Sequence, residues 1–336
     1  MEPARRSLTI VIPIYNDWAS ATLLIENCGA ALIGSSYTVD VVAVDDFSSE
    51  RPPVALPPAP GISTVECLEL VANLGHQRAI AVGLMAVAKR PNLDLVAVMD
   101  SDGEDRPEDL CKLAERAASQ RDRAIVAQRS KRSESVTFRA FYWLYTRLFR
   151  LLTGSRLAFG NFSVLQASHV HRVTGNPHIW NNFAAALLHS RIPFEYVPTV
   201  RGKRYAGQSR MNFIGLVAHG LGAISVLSEA VFVRILFASL GLVLLSVGLA
   251  LGALYVKLFT ELGLPNWATT VLGFALVISL QALMMPIMVA FLLLNSRATI
   301  QPLPSTLALA QIGSRKMLYA ATDPQVEGVA LQAQLG

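Results

Sequence analysis

The chain carries the stretch Leu93-Asp-Leu-Val-Ala-Val-Met-Asp-Ser-Asp102. Its mostly apolar part, which ends at Met99, is typical of a strand buried in a parallel sheet. Two carboxylates follow at positions i and i+2, Asp100 and Asp102, and such a pair can share one Mg²⁺ or Mn²⁺ ion. A cation held in this way typically binds a diphosphate, which suggests a nucleotide-activated substrate. A second interpretation is structural, since Asp also caps helices and a helix is predicted to begin near Arg106.

Three further apolar runs precede this strand, at residues 8–12, 39–44 and 62–68. Helical patterns at residues 19–32 and 77–88 lie between them. Strands that alternate with helices predict a doubly wound α/β sheet, whose ligands bind beyond the carboxyl ends of the strands. The residues expected at or next to these ends are Pro13, Tyr15, Asp45, Asp46, Asn73, Asp100 and Asp102.

The composition is too apolar for an ordinary soluble enzyme of 336 residues, with 52% hydrophobic residues and a mean hydropathy of +0.42. Residues 235–256 and 262–296 contain no charged residue, so each run is long enough to span a bilayer. Two buried core helices are the alternative. The expected organisation is an α/β domain at 1–212 with a candidate interfacial amphipathic helix at 137–153, a juxtamembrane helix at 213–233, two transmembrane helices within 234–296 and a tail at 297–336.

Basic residues flank the outer ends of the two runs, namely Arg234, Arg297, Arg315 and Lys316. The positive-inside rule therefore predicts that the N-terminal domain and both termini are cytoplasmic, in an integral protein of the cytoplasmic (inner) membrane. No signal peptide is expected before the first strand. The net charge of +5 suits an anionic leaflet, so nucleic acid is not expected as a partner.

Six segments, in this order and ahead of two spans, resemble the polyprenyl-phosphate glycosyltransferases of family 2, the group of dolichol-phosphate mannose synthases and bacterial undecaprenyl-phosphate sugar transferases. They are IVIPIYND (10–17), VVAVDDFSS (41–49), ANLGHQRAIAVGL (72–84), VMDSDGEDRPEDL (98–110), GNFSVL (160–165) and RYAGQSRMN (204–212). The resemblance implies a Rossmann-like GT-A fold and inversion at the anomeric carbon. The donor would be a UDP- or GDP-sugar, and the acceptor a polyprenyl phosphate on the cytoplasmic leaflet.

The resemblance also implies roles for the residues at the strand ends. Pro13, Tyr15 and Asp46 would lie against the base and ribose, with Asp45 and Asn73 beside them. Asp100 would support the diphosphate, Asp102 would bind the metal, and Glu104 would stand next to it as a further hard ligand.

Basic residues match the part of the family pattern that binds phosphate. Arg204, Ser209 and Arg210 fall in the RxxGxS segment, and Arg210 replaces the usual Lys. Arg129 and Arg132 match a segment that would bind the lipid phosphate. An interfacial patch for anionic lipid is the alternative for the basic run.

Two departures from the family pattern bear on the reaction. Asn161 stands where many members have Asp, and the segment 180–183 lacks the Glu-Asp pair that supplies a base in hydroxyl-directed relatives. A phosphate monoester is mostly dianionic at neutral pH and can attack without a base, so the missing pair favours a phosphate acceptor. Asp105 and Glu195 stay open as bases. The alternatives are a transferase to a lipid hydroxyl or lipid-linked saccharide, and a catalytically silent, nucleotide-binding membrane scaffold. Gly248 and Gly252 leave a homo-oligomer open.

Overall fold

The computed structural model describes residues 5–129, 136–155, 159–206, 213–260, 266–298 and 304–321. Its centre is an eight-stranded mixed sheet. The strands are β1 (Arg6–Ile14), β2 (Tyr37–Asp45), β3 (Thr64–Leu70), β4 (Leu95–Val98), β5 (Ala124–Arg129), β6 (Ser163–Gln166), β7 (Phe194–Thr199) and β8 (Ile312–Ala320). They lie side by side in the order β7-β5-β6-β4-β1-β2-β3-β8.

The helices follow in the same chain order. They are α1 (Trp18–Leu32), α2 (His76–Val87), α3 (Pro107–Ser119), α4 (Val136–Thr153), α5 (Ala167–Thr174), α6 (Phe183–His189), α7 (Phe213–Ser225), α8 (Ser228–Phe259), α9 (Trp267–Ala298) and α10 (Pro304–Ala310), with a 3₁₀ turn at Pro177–Trp180. Pro107 occupies the first turn of α3, as the sequence predicted, where its missing N–H costs nothing.

The direction of the strands brings six carboxyl ends to one edge of the sheet. β1 is parallel to β2 on one side and to β4 on the other. β2 and β3 are therefore added on one side of β1 and β4 on the opposite side, which makes β1 a topological switch point. β6 runs antiparallel to β4 and β5, and β7 is parallel to β5. A crevice for a ligand is expected at such a switch point.

The central strand β1 is buried on both faces, from Leu8 to Ile14. Its alternation divides the core: Ile10 and Ile12 face a cluster with α1 and α3, whereas Val11 faces a cluster with α2 and α6. When helices cover both faces of a strand, side chains on both faces are buried. The sequence of β1 is therefore a nearly continuous apolar run.

The expected tail at 297–336 is wrong for residues 312–320, which form β8. This strand pairs antiparallel with β3, and α10 packs against α2. Lys316 pairs with Glu69, and Arg315 lies 3.2 Å from Glu66. No apolar run marks this strand in the sequence, because an edge strand exposes one face and holds its register partly through charges. The predicted domain at 1–212 is therefore discontinuous, since its sheet is completed after the long helices.

The chain divides into two compact units. One contains Met1–Ala140, Leu157–Val226 and Pro302–Gly336, and the other contains Phe141–Arg156 and Leu227–Gln301. The expected juxtamembrane helix at 213–233 is likewise corrected. α7 ends at Ser225, whose hydroxyl donates to the carbonyl of Gly222, and residues 228–233 belong to α8. Continuous hydrophobicity concealed this break.

In the second unit, α8 and α9 are long and apolar enough to cross a membrane, with mean hydropathies of 2.4 and 2.3. Only 11% and 17% of these windows are buried, which disfavours the core-helix alternative. The helices pack through small residues at seven-residue spacing, namely Ser239, Ser246 and Ala253 in α8 and Ala268, Ala275 and Ala282 in α9. The hydroxyl of Ser246 donates to the carbonyl of Ala275 at 2.7 Å. The large apolar side chains face outward, as lipid-facing helices require.

The candidate interfacial helix at 137–153 corresponds to α4. Within its described side chains, Trp143 and Leu151 are exposed, and the guanidinium of Arg147 lies 5.3 Å from the Trp143 ring centre. Arg234 of α8 donates to the carbonyls of Arg150 and Leu151 and so caps the carboxyl end of α4. An exposed apolar face beside arginines suits a membrane interface, which stays a prediction.

Candidate active site

Two loops at the carboxyl edge of the sheet are joined through their backbones. The acidic turn after β4 contains Asp102 and Glu104, and the basic loop after β7 contains Gly202 and Tyr205. The Gly202 N–H donates to the Glu104 carbonyl at 2.8 Å, and the Tyr205 N–H donates to the Asp102 carbonyl at 3.0 Å. A Cβ atom on Gly202 would lie 2.4 Å from the carbonyl oxygen of Gly103, so this approach requires glycine.

The side chains of the two loops form ion pairs. Arg204 Nη2 lies 2.5 Å from Asp102 Oδ2, and Arg201 grips Glu104 with two hydrogen bonds of 2.7 and 3.0 Å. The sequence had assigned the acids to a metal and the arginines to phosphate, without predicting that they meet. Arg201, which was not among the assigned site residues, is placed here by its carboxylate partner.

Asp102 lies in an electrostatically unfavourable position. Burial raises its pKa, and the facing carboxylates of Asp100 and Glu104 raise it further, against the opposing Glu104 N–H and Arg204. A cation bound between these carboxylates would relieve their mutual repulsion.

These three acids fit a hard divalent cation by chemistry, since carboxylate oxygens are the ligands that Mg²⁺ and Mn²⁺ prefer. In the described part of the chain, no group of three such side chains is already arranged around a metal position. Arg204 and Arg201 hold the carboxylates instead. A cation at Asp102 therefore has to compete with a guanidinium group.

The two alternative bases are placed differently. Asp105 is buried, and its carboxylate accepts the N–H of Asp100 at 3.1 Å, so it shapes the acidic turn. Glu195 is the second residue of β7, at the opposite edge of the sheet, and lies 2.6 Å from Arg116. This position at the amino ends of the strands, away from the acidic turn, disfavours Glu195 as the base.

The paired carboxylates after β2 are both buried and bonded within the protein. Asp46 accepts the N–H groups of Leu74 and Gly75 at 2.7 and 2.9 Å. Burial raises the pKa of Asp46 in spite of these two bonds. Asp45 accepts the indole N–H of Trp18 at 3.0 Å and the hydroxyl of Ser48 at 2.5 Å. Both carboxylates thus fix the loops around the edge.

The other residues expected at or next to the strand ends lie at the carboxyl edge, as the sequence predicted. Pro13 is buried in β1, with Tyr15 exposed directly after that strand. Asn73 is exposed in the loop between β3 and α2, which Asp46 holds in place.

A relay of amides, which the sequence did not reveal, orients Asn161. The N–H of Phe183 donates to Gln77 Oε1 at 2.7 Å, which fixes the Gln77 amide. Gln77 Nε2 then donates to Asn161 Oδ1 at 3.1 Å. The Asn161 amide nitrogen consequently faces Asp100 Oδ1 at 3.3 Å and His76 Nε2 at 2.9 Å. Its only sequence signal was the departure of Asn161 from the family pattern.

Four assigned residues are not described in full. Arg129 ends β5 at the same edge, and its side chain is outside the described part. Arg132, Ser209 and Arg210 lie wholly outside the described residues.

Comparison with known proteins yields consistent matches. Residues 9–173 match the model of glycosyl transferase family 2. An undecaprenyl-phosphate 4-deoxy-4-formamido-L-arabinose transferase of Klebsiella pneumoniae (strain 342) is 27% identical over 273 residues, covering 79% of this chain and 80% of the relative. The protein of that name from Edwardsiella ictaluri (strain 93-146) is 29% identical, covering 78% and 79%. A solved glucosyl-3-phosphoglycerate synthase of Mycobacterium tuberculosis, in complex with Mn²⁺ and UDP-glucose, superimposes with a TM-score of 0.47 at 13% identity, covering 67% and 79%.

Proposed function

Because residues 9–173 form a glycosyl transferase family 2 domain, we propose that the chain moves a sugar from a nucleotide diphosphate sugar to a polyprenyl phosphate of the undecaprenyl type. The observation that carries this proposal is the meeting of the acidic turn and the basic loop at the carboxyl edge. One group of side chains attracts a cation and the other attracts phosphate, as a reaction between two phosphorylated substrates needs. The names of the relatives support the same acceptor.

In the proposed site, Asp102 holds Mg²⁺ or Mn²⁺ together with Asp100 and Glu104. When bound, the cation neutralises charge on the leaving diphosphate. Arg201 and Arg204, released from the carboxylates, then bind phosphate oxygens through charge-assisted hydrogen bonds. Arg210 and Ser209 extend this phosphate site, and Arg129 and Arg132 hold the lipid phosphate. Asp102, Arg204 and Arg210 are the proposed catalytic residues.

The acceptor needs no general base in this proposal. The second pKa of a phosphate monoester is near 6, so at neutral pH its oxygen is already anionic and nucleophilic. Asp105 is engaged by the Asp100 N–H, which suits a structural role. Rate acceleration would come from positioning and from stabilisation of the leaving group.

The nucleoside would lie beyond the ends of β1, β2 and β3. Exposed Tyr15 and Asn73 are available for contact, whereas Pro13, Asp45 and Asp46 act by shaping this surface. The donor base, of UDP or GDP type, is part of the proposal.

We also propose that α8 and α9 cross the cytoplasmic membrane and that α4 lies at its interface. β8 returns to the sheet after the two helices, so both ends of the helical pair must connect to the same domain. An even number of crossings meets this requirement, with the catalytic domain and both termini in the cytoplasm. Gly248 and Gly252 have nothing within 4 Å of an added Cβ, so they are available to pack against a second copy in a homo-oligomer.

The test is a mass-spectrometric assay of purified full-length protein with Mn²⁺, undecaprenyl phosphate and a panel of UDP- and GDP-sugars. We expect one lipid-phosphate sugar, whose linkage is cleaved by mild acid as a glycosyl phosphate. Asp102→Ala should abolish it. Glu195→Gln, which removes a carboxylate at the opposite edge, is the matched control and should retain activity.

A product that survives mild acid would point to a hydroxyl acceptor instead. Nucleotide binding without any product from the panel would favour the silent scaffold. Full activity of Asp102→Ala would contradict the assigned metal site.

A further inference from the structure

Phe47 combines two unfavourable features at the edge that faces the proposed donor. Its φ of +59° lies in the left-handed region, which a bulky side chain rarely adopts. Its side chain is also 57% exposed. Among described non-glycine residues, three of the five with positive φ are asparagines, which tolerate this region, and Phe47 is the one aromatic among them. Strain of this kind clusters at ligand sites.

The neighbours of Phe47 explain how the strain is maintained. Before it, the Asp46 N–H donates to the Ile14 carbonyl at 2.8 Å. After it, Ser48 bonds to Asp45 through both its N–H and its hydroxyl, at 3.2 and 2.5 Å. The Asn16 N–H donates to the Ser48 hydroxyl at 2.9 Å, which ties the turn to the end of β1. Both flanks are fixed, and the ring of Phe47 is directed to the surface.

A second exposed aromatic lies on the neighbouring strand end. Tyr15, which is 46% exposed, follows Ile14, and Ile14 pairs with Asp45 in the β1–β2 register. Tyr15 and Phe47 therefore extend beyond adjacent strands at one edge. While these two aromatic side chains are exposed to water, they contribute no hydrophobic stabilisation. A flat apolar ligand that covered them would gain that free energy on binding.

We infer that the Phe47 ring stacks on the nucleobase of the donor and is a positioning residue for it. This inference rests on the proposed function, which supplies the nucleotide. Stacking requires a π-face rather than a base-specific hydrogen bond, so Phe47 contributes affinity for uracil or guanine alike. Phe47 therefore adds affinity for the nucleoside part of the donor. The diphosphate part would be bound by the acidic turn and the basic loop.

The test uses equilibrium binding of UDP, GDP and inorganic pyrophosphate to the full chain in detergent micelles with Mn²⁺. Phe47→Gly removes the ring and the strain together. We expect its melting temperature to rise or hold, while UDP and GDP bind roughly tenfold more weakly and pyrophosphate binding is unchanged. Phe47→Leu keeps a side chain at this strained position, so it should lose the same nucleotide affinity without any rise in melting temperature. Phe47→Trp should retain the wild-type affinity for UDP and GDP.

Arg191→Gly is the matched control, because Arg191 also has a positive φ of +52° and lies in the turn before β7, at the opposite edge. It should gain stability without any loss of UDP affinity. Unchanged UDP affinity in Phe47→Gly would overturn the stacking role, as would equal losses for UDP and pyrophosphate. A wild-type protein that binds no nucleoside diphosphate would overturn the proposed function and this inference with it.

Discussion

Replacing Arg204 with Gln should have opposite effects on metal affinity without and with nucleotide. In the free protein, Arg204 holds Asp102 at 2.5 Å, and both side chains are largely buried, with exposed fractions of 26% and 14%. Two charges about 4 Å apart interact with roughly 4 kcal/mol at an effective dielectric constant of 20, and desolvation offsets much of this. We therefore expect a net gain of about 1–2 kcal/mol for a competing cation, or roughly 5- to 30-fold tighter Mn²⁺ binding.

With UDP present the sign should reverse, because Arg204 then stabilises the diphosphate. Titrations of Mn²⁺ followed by electron paramagnetic resonance, with and without UDP, measure both affinities. Lys203→Gln removes one positive charge from an exposed neighbour and should change either affinity by less than about twofold. Mn²⁺ affinity that is unchanged or weaker in nucleotide-free Arg204→Gln would refute the competition.

Three other changes test the architecture of the site and of the sheet that supports it. Asp46→Asn leaves one oxygen to accept two N–H groups, so the free energy of unfolding should fall by about 1–3 kcal/mol. Because burial raises the folded-state pKa of Asp46, ionisation of this side chain opposes folding. The free energy of unfolding of the wild type, relative to that of the Asn variant, should therefore decline as pH rises from the ordinary Asp range through the raised pKa. Urea unfolding at a series of pH values measures this difference. Gln77→Leu frees the Asn161 amide, so sugar transfer should slow about tenfold with nucleotide affinity retained, and a rate equal to wild type would show that the relay is irrelevant. Truncation before Ile312 exposes the β3 edge and should cause aggregation and a lower melting temperature, whereas an unaffected melting temperature would mean that β8 is dispensable.

The sequence predicted those parts of the fold that depend on local pattern. The GT-A expectation is confirmed, as are the two long apolar helices as candidate membrane spans. The strand before Asp100 was predictable because burial on both faces leaves an apolar run. β8 was not predicted because its central residues, Arg315 and Lys316, are charged. They are paired with Glu66 and Glu69, which lie more than 240 residues away in the sequence.

The contents of the candidate site were predicted better than their contacts. Asp102 and Arg204 were both identified, but nothing in their spacing shows that they meet, since 102 residues separate them. Gln77 was missed for the same reason, because its role depends on the distant Phe183 N–H. The strain at Phe47 follows from a hydrogen-bonded turn and has no signature in composition or period.

The return of the chain to the sheet at β8 also constrains the order of synthesis. Glu69 and Ser314 are bonded partners separated by 245 residues. At about 5–20 residues per second, β3 emerges from the ribosome roughly 10–50 s before the strand that covers its edge. In the proposed membrane arrangement, both apolar helices are delivered to the bilayer during that interval, while the incomplete sheet has to stay free of other strands. The proposed insertion and the folding of the sheet would then be coupled events, and a delay in either would leave the β3 edge open to aggregation or to chaperone binding.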